Sequence, residues 1–224
     1  MLRSIFGQKE NKIDLEKIMN DKKILLINLA KGKLGEENSS FFGSMFITKL
    51  YQACMARASM PEDKRKDFYL YVDEFQNLIT TTFENLFTES RKYGLCITVA
   101  HQYMAQLLQQ VVATVLGNIG TIVVFRVGGD DAAKLAMEMT PIFQAEDMIN
   151  LGAREFYIKM TIDGEAFDPF SAETLKVLPS GHLSFKKEIL KQSREKYALS
   201  LESVKEKLKE EELPKEKEEM EPLV

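Results

Sequence analysis

The chain has 224 residues, of which 45% are hydrophobic and 29% are charged, and its formal net charge is −4. This length and composition are typical of a soluble globular protein with one large domain or two small ones. The negative charge excludes a general attraction to nucleic acid, so any DNA contact requires a local basic patch or an assembled oligomer. No apolar run approaches the roughly 18 residues of a membrane span, and the first residues lack the apolar segment of an export signal. With only two cysteines in apolar contexts, we expect a cytoplasmic protein without a membrane span of its own.

Four short apolar runs are predicted to be strands. They are "KILLINL" at 23–29, "FYLYV" at 68–72, "LCITVA" at 95–100 and "GTIVVF" at 120–125. Nearly continuous apolar runs of this length are typical of parallel strands covered on both faces. The segments "FFGSMFITKLYQACMARA" and "TFENLFTESRKYG" between them have helical spacing of apolar residues. The alternation predicts an α/β fold with a mainly parallel sheet and helices on both faces.

The C-terminal third adds two further features. A pair of strands around Asp163-Gly164, within "EFYIKMTIDGEAFDPF", is predicted to form a hairpin at the sheet edge. Beyond residue 185, Lys and Glu dominate the sequence, which predicts a solvated helix that frays into disorder. We therefore expect a domain over residues 1–184 and a charged tail over residues 185–224.

Two carboxylates, Asp73 and Glu74, follow directly on the apolar strand 68–72. In open α/β sheets, ligands bind beyond the carboxyl ends of the strands, where these side chains emerge. An Asp there can hold the Mg²⁺ of a bound nucleotide through water, while the adjacent Glu can act as general base on the attacking water. Acids are also common at strand ends without any such role, so this pattern alone leaves both interpretations open.

Two further polar residues lie close to the second strand. Arg91 precedes it on the flank of a short helix, and Gln102 follows it. An arginine in that place can reach a nucleotide on an adjoining subunit and act as an arginine finger. The alternative is an exposed arginine that pairs with Glu84 or Thr88. Gln102 can contact the γ-phosphate or the attacking water, or it can simply cap the strand end.

Taken in order, "FYLYVDEFQNL", "TESRKYGLCITVAHQYMAQL" and "GNIGTIVVFRVGGDDA" resemble the C-terminal half of the ATPase domain in the FtsK–HerA superfamily. More narrowly, the chain resembles the TraG/TraD-like coupling ATPases of type IV secretion and conjugative DNA transfer. The resemblance covers about residues 1–180 and is strongest over 67–128. It implies a RecA-like P-loop NTPase fold and a hexameric ring that moves DNA with ATP and Mg²⁺.

The resemblance also implies roles for individual residues. Asp73 and Glu74 match the Walker B acids, of which Asp73 holds Mg²⁺ through water and Glu74 is catalytic. Arg91 matches the arginine finger and Gln102 the sensor, while Arg126 is a second candidate for a nucleotide contact across a subunit boundary. Asp130 and Asp131 are expected to cap the helix that follows them. The partners implied are other subunits of a homo- or hetero-oligomeric ring, DNA, and a secretion-system or membrane-anchored protein.

The sequence departs from this family at one decisive motif. Members need a G-x-x-x-x-G-K-[ST] loop, because its backbone amides and lysine hold the β- and γ-phosphates. The nearest approach is "LAKGKLGEENSS", in which Leu34 follows Gly32-Lys33 and Ile27 stands where the first glycine belongs. We therefore expect a split or truncated gene, or a second chain that supplies the loop, and no ATP hydrolysis by this chain alone. A half-domain of this kind should also expose a sheet edge or an apolar face.

Two other functions are compatible with the sequence. The first is a non-catalytic interaction or regulatory module that has kept the ATPase fold and joins a DNA-transfer ring. The second is an unrelated helicase with a DExx-type box, for which the spacing of Arg91 and Gln102 would be coincidence. Replacement of Glu74 by glutamine distinguishes a motor, which loses its function, from an interaction module, which does not.

Overall fold

The structure is a computed structural model that describes residues 5, 11–177 and 184–212. The chain divides into two compact units. One comprises Leu15–Leu178, and the other comprises Met1–Asp14 together with Pro179–Val224. The first unit contains the strands and the candidate site.

Nine α-helices lie within the described residues. They are α1 (Leu15–Asn20), α2 (Lys31–Leu34), α3 (Glu36–Ala56), α4 (Thr81–Glu89), α5 (Gln109–Asn118), α6 (Gly129–Met139), α7 (Ala145–Ile149), α8 (Lys186–Tyr197) and α9 (Leu201–Glu212). Short 3₁₀ turns extend several of them, among which Phe75–Leu78 and Ser90–Tyr93 border the strands. The predicted long helix is confirmed as α3, whose Phe42, Leu50 and Ala53 are buried.

Six strands in the described part of the chain form two separate sheets. They are β1 (Phe68–Val72), β2 (Leu95–Val99), β3 (Thr121–Val124), β4 (Glu155–Ile162), β5 (Glu165–Ala166) and β6 (Phe170–Glu173). β1 and β2 pair in parallel, whereas β4 pairs antiparallel with β3, β5 and β6. The molecule is thus a mixed α/β protein, as predicted, and β4 and β5 form the predicted hairpin around Asp163-Gly164.

The prediction of a mainly parallel sheet is wrong. Among the strands that the structure describes, only the β1–β2 pair is parallel, and the larger sheet is antiparallel. The apolar run at 120–125 does form β3, but its partner is β4 of the hairpin, which runs in the opposite direction. Apolar periodicity identifies a strand without specifying the direction of its neighbour, so this partner could not be read from the run itself.

The expected strand at 23–29 is also wrong. No ladder forms there, and Ile24 and Leu26 are 90% and 79% exposed. A cleft of about 870 Å³ lies between this segment and β1, lined on its inner side by Phe46, Ile47 and Leu50 of α3. An apolar run becomes a strand only where a neighbour supplies hydrogen-bond partners, and here the outer edge of β1 stays unpaired.

Burial alternates along the parallel pair. Tyr69 and Tyr71 of β1 face the same side as their partners Cys96 and Thr98 of β2, and all four residues are exposed. The opposite side carries Val72 and Leu95, which are buried. One face of this sheet is therefore covered and the other is open.

The antiparallel sheet has a similar asymmetry. Val124 and its partner Tyr157 face a core formed with α6, α7 and the turn after β2. The buried members of this core are Met104, Val124, Ala132, Leu135, Met139 and Met148. On the other side, Val123, Ile158 and Phe170 form a row across three strands, and Val123 and Phe170 are 46% exposed. We call this row the open face of the antiparallel sheet.

Arg57 holds together the starting ends of β1 and β2. Its side chain is 1% exposed. Nη1 donates to the carbonyl oxygens of Lys66 and Tyr93, each at 2.9 Å, and Nε donates to Asn20 Oδ1 at 3.1 Å. Burial lowers the pKa of Arg57, yet the guanidinium donates to carbonyls of the residues that precede the two strands.

Within residues 185–224, the described part consists of α8 and α9. The remainder of the predicted charged tail, residues 213–224, lies outside the described residues. Among the helices that the structure describes, none combines the length and apolar character needed to cross a lipid bilayer.

Candidate functional site

The parallel pairing of β1 and β2 brings two sets of polar residues to one edge. Val72 pairs with Val99, so both strands end side by side. The ladder continues for one step, with Ala100 N donating to Val72 O at 2.9 Å and Phe75 N donating to Ala100 O at 3.2 Å. Asp73 and Glu74 therefore emerge beside the residues that follow β2.

Glu74 is held in a left-handed backbone conformation, with φ 51° and ψ 45°. A residue with a Cβ atom pays about 1–2 kcal/mol for this conformation. Asp73 Oδ1 accepts a hydrogen bond from Glu74 N at 3.0 Å, and Glu74 O accepts one from Asn77 Nδ2 at 3.0 Å. The turn 75–78 starts from this bend, which directs the Glu74 side chain away from the strand and toward the end of β2.

Gln102 meets Glu74 across the two strand ends. Gln102 Nε2 donates to Glu74 Oε1 at 2.5 Å, although the two residues lie 28 positions apart in sequence. Gln102 is exposed, and Glu74 is half-buried. The structure thus brings together Asp73, Glu74 and Gln102, the three residues that the sequence places at the ends of adjacent strands.

Asp73 fits the coordination that Mg²⁺ prefers on a nucleotide. Its carboxylate is exposed at the strand end. Mg²⁺ usually retains several waters and takes one or two carboxylates plus phosphate oxygens, so a single Asp suffices where a nucleotide supplies the rest. Across the described ranges, no cluster of three or more His, Cys, Asp or Glu side chains is arranged to hold an ion by itself. Asp73 can therefore take part in an Mg²⁺–nucleotide site.

Three site residues escaped the sequence analysis. Gln76 Nε2 donates to Glu74 Oε2 at 2.5 Å, and Lys31 Nζ donates to Asn77 Oδ1 at 3.0 Å. Lys31 also forms an ion pair with Glu36 at 3.0 Å. Gln76 and Asn77 belong to the turn after the acids. A sequence pattern can predict such a turn, but it does not predict the orientation of the side-chain amides. The "KGK" stretch around Lys31 resembles an incomplete P-loop motif, and that pattern gives no sign of a contact with Asn77.

A second cleft, of about 590 Å³, opens beside these residues. Its walls are the 27–31 segment and α3 on one side and the end of β1 with its following turn on the other. Its charged and amide lining consists of Asn28, Lys31, Asp73, Glu74 and Asn77, while most of its other lining side chains are apolar. The acids thus border a cavity of ligand size.

His101 lies near Glu74, and its ring packs against Phe75 although the residue stays exposed to solvent. Its ring meets Phe75 edge to face, with centroids 5.3 Å apart. Burial lowers the pKa of His101, and the nearby carboxylates of Asp131 and Glu74 oppose this more weakly. At neutral pH the uncharged imidazole is therefore favoured.

Arg91 lies at the other end of β2. It belongs to the turn Ser90–Tyr93, which precedes the strand, and it is exposed. A five-residue strand spans roughly 16 Å, so Arg91 cannot reach the carboxyl edge of its own sheet. The suggested alternative partners are bonded elsewhere, since Glu84 accepts from Gln110 and the Thr88 hydroxyl donates to Asn85 O.

The remaining predicted residues follow β3. Arg126 is exposed on the connection between β3 and α6. The expectation that Asp130 and Asp131 cap α6 is wrong, because Gly128 is the N-cap and makes no side-chain cap bond. Asp131 instead lies in the first helical turn, is 7% exposed, and accepts a hydrogen bond from Met104 N at 3.1 Å. This hydrogen bond anchors the loop after Gln102 to α6, which packs in the core of the antiparallel sheet.

The fold is that of a mixed α/β protein with a parallel strand pair and an antiparallel sheet. Its polar site, which contains two acids and one amide, lies at the carboxyl edge of the parallel pair. Residues 67–139, about a third of the chain, match the family described as the TraM recognition site of TraD and TraG. This match confirms the predicted TraG/TraD resemblance over the segment that carries Asp73, Glu74, Arg91, Gln102 and Arg126.

Solved structures with partial similarity include the genome packaging NTPase B204 from Sulfolobus turreted icosahedral virus 2. Its complexes with AMPPCP and with ATP-gammaS are each 16% identical to this chain, with a TM-score of 0.49 over 75% of this chain and 74% of that chain. Its complex with sulfate is 15% identical, with a TM-score of 0.47 over 76% and 78%. No curated protein sequence matches the chain.

Proposed function

We propose that this chain supplies catalytic residues to a ring-shaped, ATP-driven DNA-translocating motor of the conjugative-transfer type. The observation that carries the proposal is the hydrogen bond between Gln102 and Glu74 across the ends of two parallel strands. It lies within the segment that matches the TraD and TraG family. In this proposal, Glu74 is the general base, Asp73 holds Mg²⁺ through water, and Gln102 senses the γ-phosphate.

The position of Arg91 supports a role across a subunit boundary. Roughly 16 Å of strand separates it from the acids of its own chain, and its side chain is exposed. In a ring, the surface that carries Arg91 would face the nucleotide of the next subunit, where a guanidinium stabilises the charge of the transition state. Arg126, also exposed, is the second candidate for such a contact.

The proposal requires a P-loop beyond these 224 residues, either from the other part of a split or truncated gene or from a partner chain. No G-x-x-x-x-G-K-[ST] motif occurs in the sequence, and without one little holds the triphosphate against Asp73 and Glu74. The open face of the parallel pair supports a covering partner, because parallel sheets are usually covered on both faces. Since the net charge is −4, DNA contacts would arise in the assembled ring.

The decisive experiment is ATP turnover, measured on the chain alone and after addition of a P-loop-bearing polypeptide, with and without DNA. We expect no turnover by the chain alone and DNA-stimulated turnover in the complex. Glu74→Gln should lower kcat by roughly 10²- to 10⁴-fold, the usual contribution of a general base. Glu62→Gln, at an exposed turn remote from the site, is the matched control and should leave kcat unchanged. Turnover by the chain alone, or equal kcat in both variants, would contradict the proposal.

A recognition module is the second candidate function. The matching family is described as the TraM recognition site of TraD and TraG, which favours a protein-binding role for residues 67–139. On this alternative, Glu74→Gln leaves function intact in a DNA-transfer assay. Substitutions on the exposed surface of the same segment would then abolish binding of the partner protein instead.

A further inference from the structure

The carboxylate of Glu74 is held by two amide groups from different parts of the chain. Gln102 Nε2 donates to Oε1, and Gln76 Nε2 donates to Oε2, each at 2.5 Å. An ionised carboxylate only accepts hydrogen bonds, so each glutamine must direct its NH₂ group toward Glu74. Together with the bonds to its backbone N–H and C=O, every polar group of Glu74 has a partner.

The two amides differ in how firmly they are placed. Gln102 is exposed and follows the neighbouring strand, whereas Gln76 is half-buried and lies two residues from Glu74 in the same turn. That turn is anchored by Phe75, which is fully buried and stacks on Phe83 with centroids 5.7 Å apart. Gln102 can therefore turn toward a ligand without disturbing the fold, while Gln76 stays where it is.

The other end of the Gln76 amide is unusual. Within the described chain, Gln76 Oε1 is buried and accepts no hydrogen bond. Buried polar atoms in native proteins are nearly always paired, so an unpaired one calls for an explanation. The amide leaves its oxygen unpaired while its NH₂ group holds the Glu74 carboxylate.

We propose that Gln76 is a positioning residue for Glu74: it fixes the carboxylate so that the base keeps its orientation when Gln102 turns to the nucleotide. This inference rests on the proposed function of Glu74 as general base. Each carboxylate oxygen has two lone-pair sites. One hydrogen bond from Gln76 therefore orients the group and leaves a lone pair on each oxygen for the attacking water.

The geometric part of the proposal is tested on the chain alone by NMR of the glutamine side-chain amides. We expect an amide proton of Gln76 to resonate downfield of those of exposed glutamines, and to lose that shift in Glu74→Ala. The amide of Gln52, exposed on α3, should not respond. A Gln76 amide that is unaffected by Glu74→Ala would overturn the proposal, whatever the activity of the protein.

The catalytic part is tested by turnover in the complex with a P-loop-bearing polypeptide. Gln76→Met keeps the length of the side chain but removes the donor, and misplacement of a reacting group by about 1 Å can cost on the order of 10²-fold. We expect kcat to fall by about tenfold to a hundredfold with KM unchanged. Gln52→Met applies the same chemical change away from the site and should behave as wild type.

The outcomes separate this inference from the proposed function. If Glu74→Gln abolishes turnover but Gln76→Met does not change kcat, the positioning role is wrong and the proposed function stands. If the wild-type complex shows no turnover at all, the proposed function fails and the catalytic role of Gln76 fails with it. If Gln76→Met raises KM without lowering kcat, Gln76 binds substrate rather than positioning Glu74, which also overturns the inference.

Discussion

Gly43 lies where α3 passes closest to the turn that follows the acids. A Cβ atom built on it would stand 2.2 Å from Leu78 Cδ2 and 2.9 Å from Leu29 Cδ1. Leu78 is 9% exposed, and it ends the turn that begins at Phe75. The absence of a side chain at residue 43 therefore lets α3 support the site from beneath.

We predict that Gly43→Ala destabilises the protein by about 1–3 kcal/mol, the usual cost of overpacking. Both near atoms are terminal methyl carbons, and two leucines from different segments must shift together to admit the new methyl group. Gly117→Ala is the matched control, because Gly117 lies in α5 and a Cβ atom there would meet nothing within 4 Å. Urea unfolding measures both changes. Gly117→Ala should be neutral or stabilising by up to about 1 kcal/mol, and equal effects would refute the packing argument.

At the scale of elements, a buried arginine fixes the first ends of β1 and β2, whereas an exposed hydrogen bond that can open joins their last ends. Arg57 joins the residues before the two strands, and the Gln102–Glu74 bond joins the residues after them. Gly94 closes the first end, since it adopts φ 72° and a Cβ atom would lie 3.3 Å from Lys66 O. The register of this two-stranded sheet thus depends on few groups outside its own ladder.

We predict that Arg57→Met lowers the free energy of unfolding by roughly 3–5 kcal/mol. The change keeps the apolar bulk of the side chain but removes the donor from the part-buried carbonyl oxygens of Lys66 and Tyr93, at about 1–3 kcal/mol for each unsatisfied group. The control is Arg154→Met, which removes an exposed ion pair with Glu173 at 3.4 Å and should cost about 0–1 kcal/mol. Thermal and urea unfolding of both variants measure these changes. If Arg57→Met lowers the free energy of unfolding no more than the control does, Arg57 does not hold the strands together.

The elements also show how far the sequence alone could lead. The strands at 68–72 and 95–99 and the helices α3 and α4 follow from local periodicity, and each was predicted close to its observed bounds. The segment 23–29 has the same apolar character, but whether it forms a strand depends on a partner that local pattern does not specify. The direction of β4 relative to β3 is likewise a tertiary property.

The candidate site likewise contains some residues that the sequence predicts and others that it does not. Asp73, Glu74 and Gln102 could be found because residues that follow adjacent parallel strands share one edge. Gln76, Asn77 and Lys31 could not, because their roles depend on the left-handed bend at Glu74 and on a contact between residues 46 positions apart. The buried Asp131 was missed for a similar reason, since its partner Met104 lies 27 residues away.

For the whole molecule, the open faces of the two sheets govern behaviour in solution. Val123 and Phe170 of the antiparallel sheet, and Tyr69 and Tyr71 of the parallel pair, are between 46% and 73% exposed. Contiguous exposed apolar surface promotes association, as does the unpaired outer edge of β1. A protein with a net charge of only −4 has little electrostatic repulsion to oppose this.

We predict that the purified chain associates beyond its monomer mass of 25.6 kDa, as measured by size-exclusion chromatography with light scattering. Phe170→Lys introduces a charge into the open face of the antiparallel sheet and should shift the population toward monomer. Leu175→Lys is the control, since Leu175 is 91% exposed and lies just beyond β6. A monodisperse wild-type monomer, or equal shifts in the two variants, would contradict this prediction.

The bend at Glu74 places two demands on one position that no single amino acid meets equally well. A left-handed backbone is adopted at least cost by glycine, and next by asparagine or aspartate. The amides of Gln76 and Gln102, by contrast, require a carboxylate long enough to reach between them. A sequence designed from the backbone alone would therefore place glycine or asparagine at residue 74. The glutamate found there meets the need for a carboxylate between the two amides, which the backbone conformation does not impose.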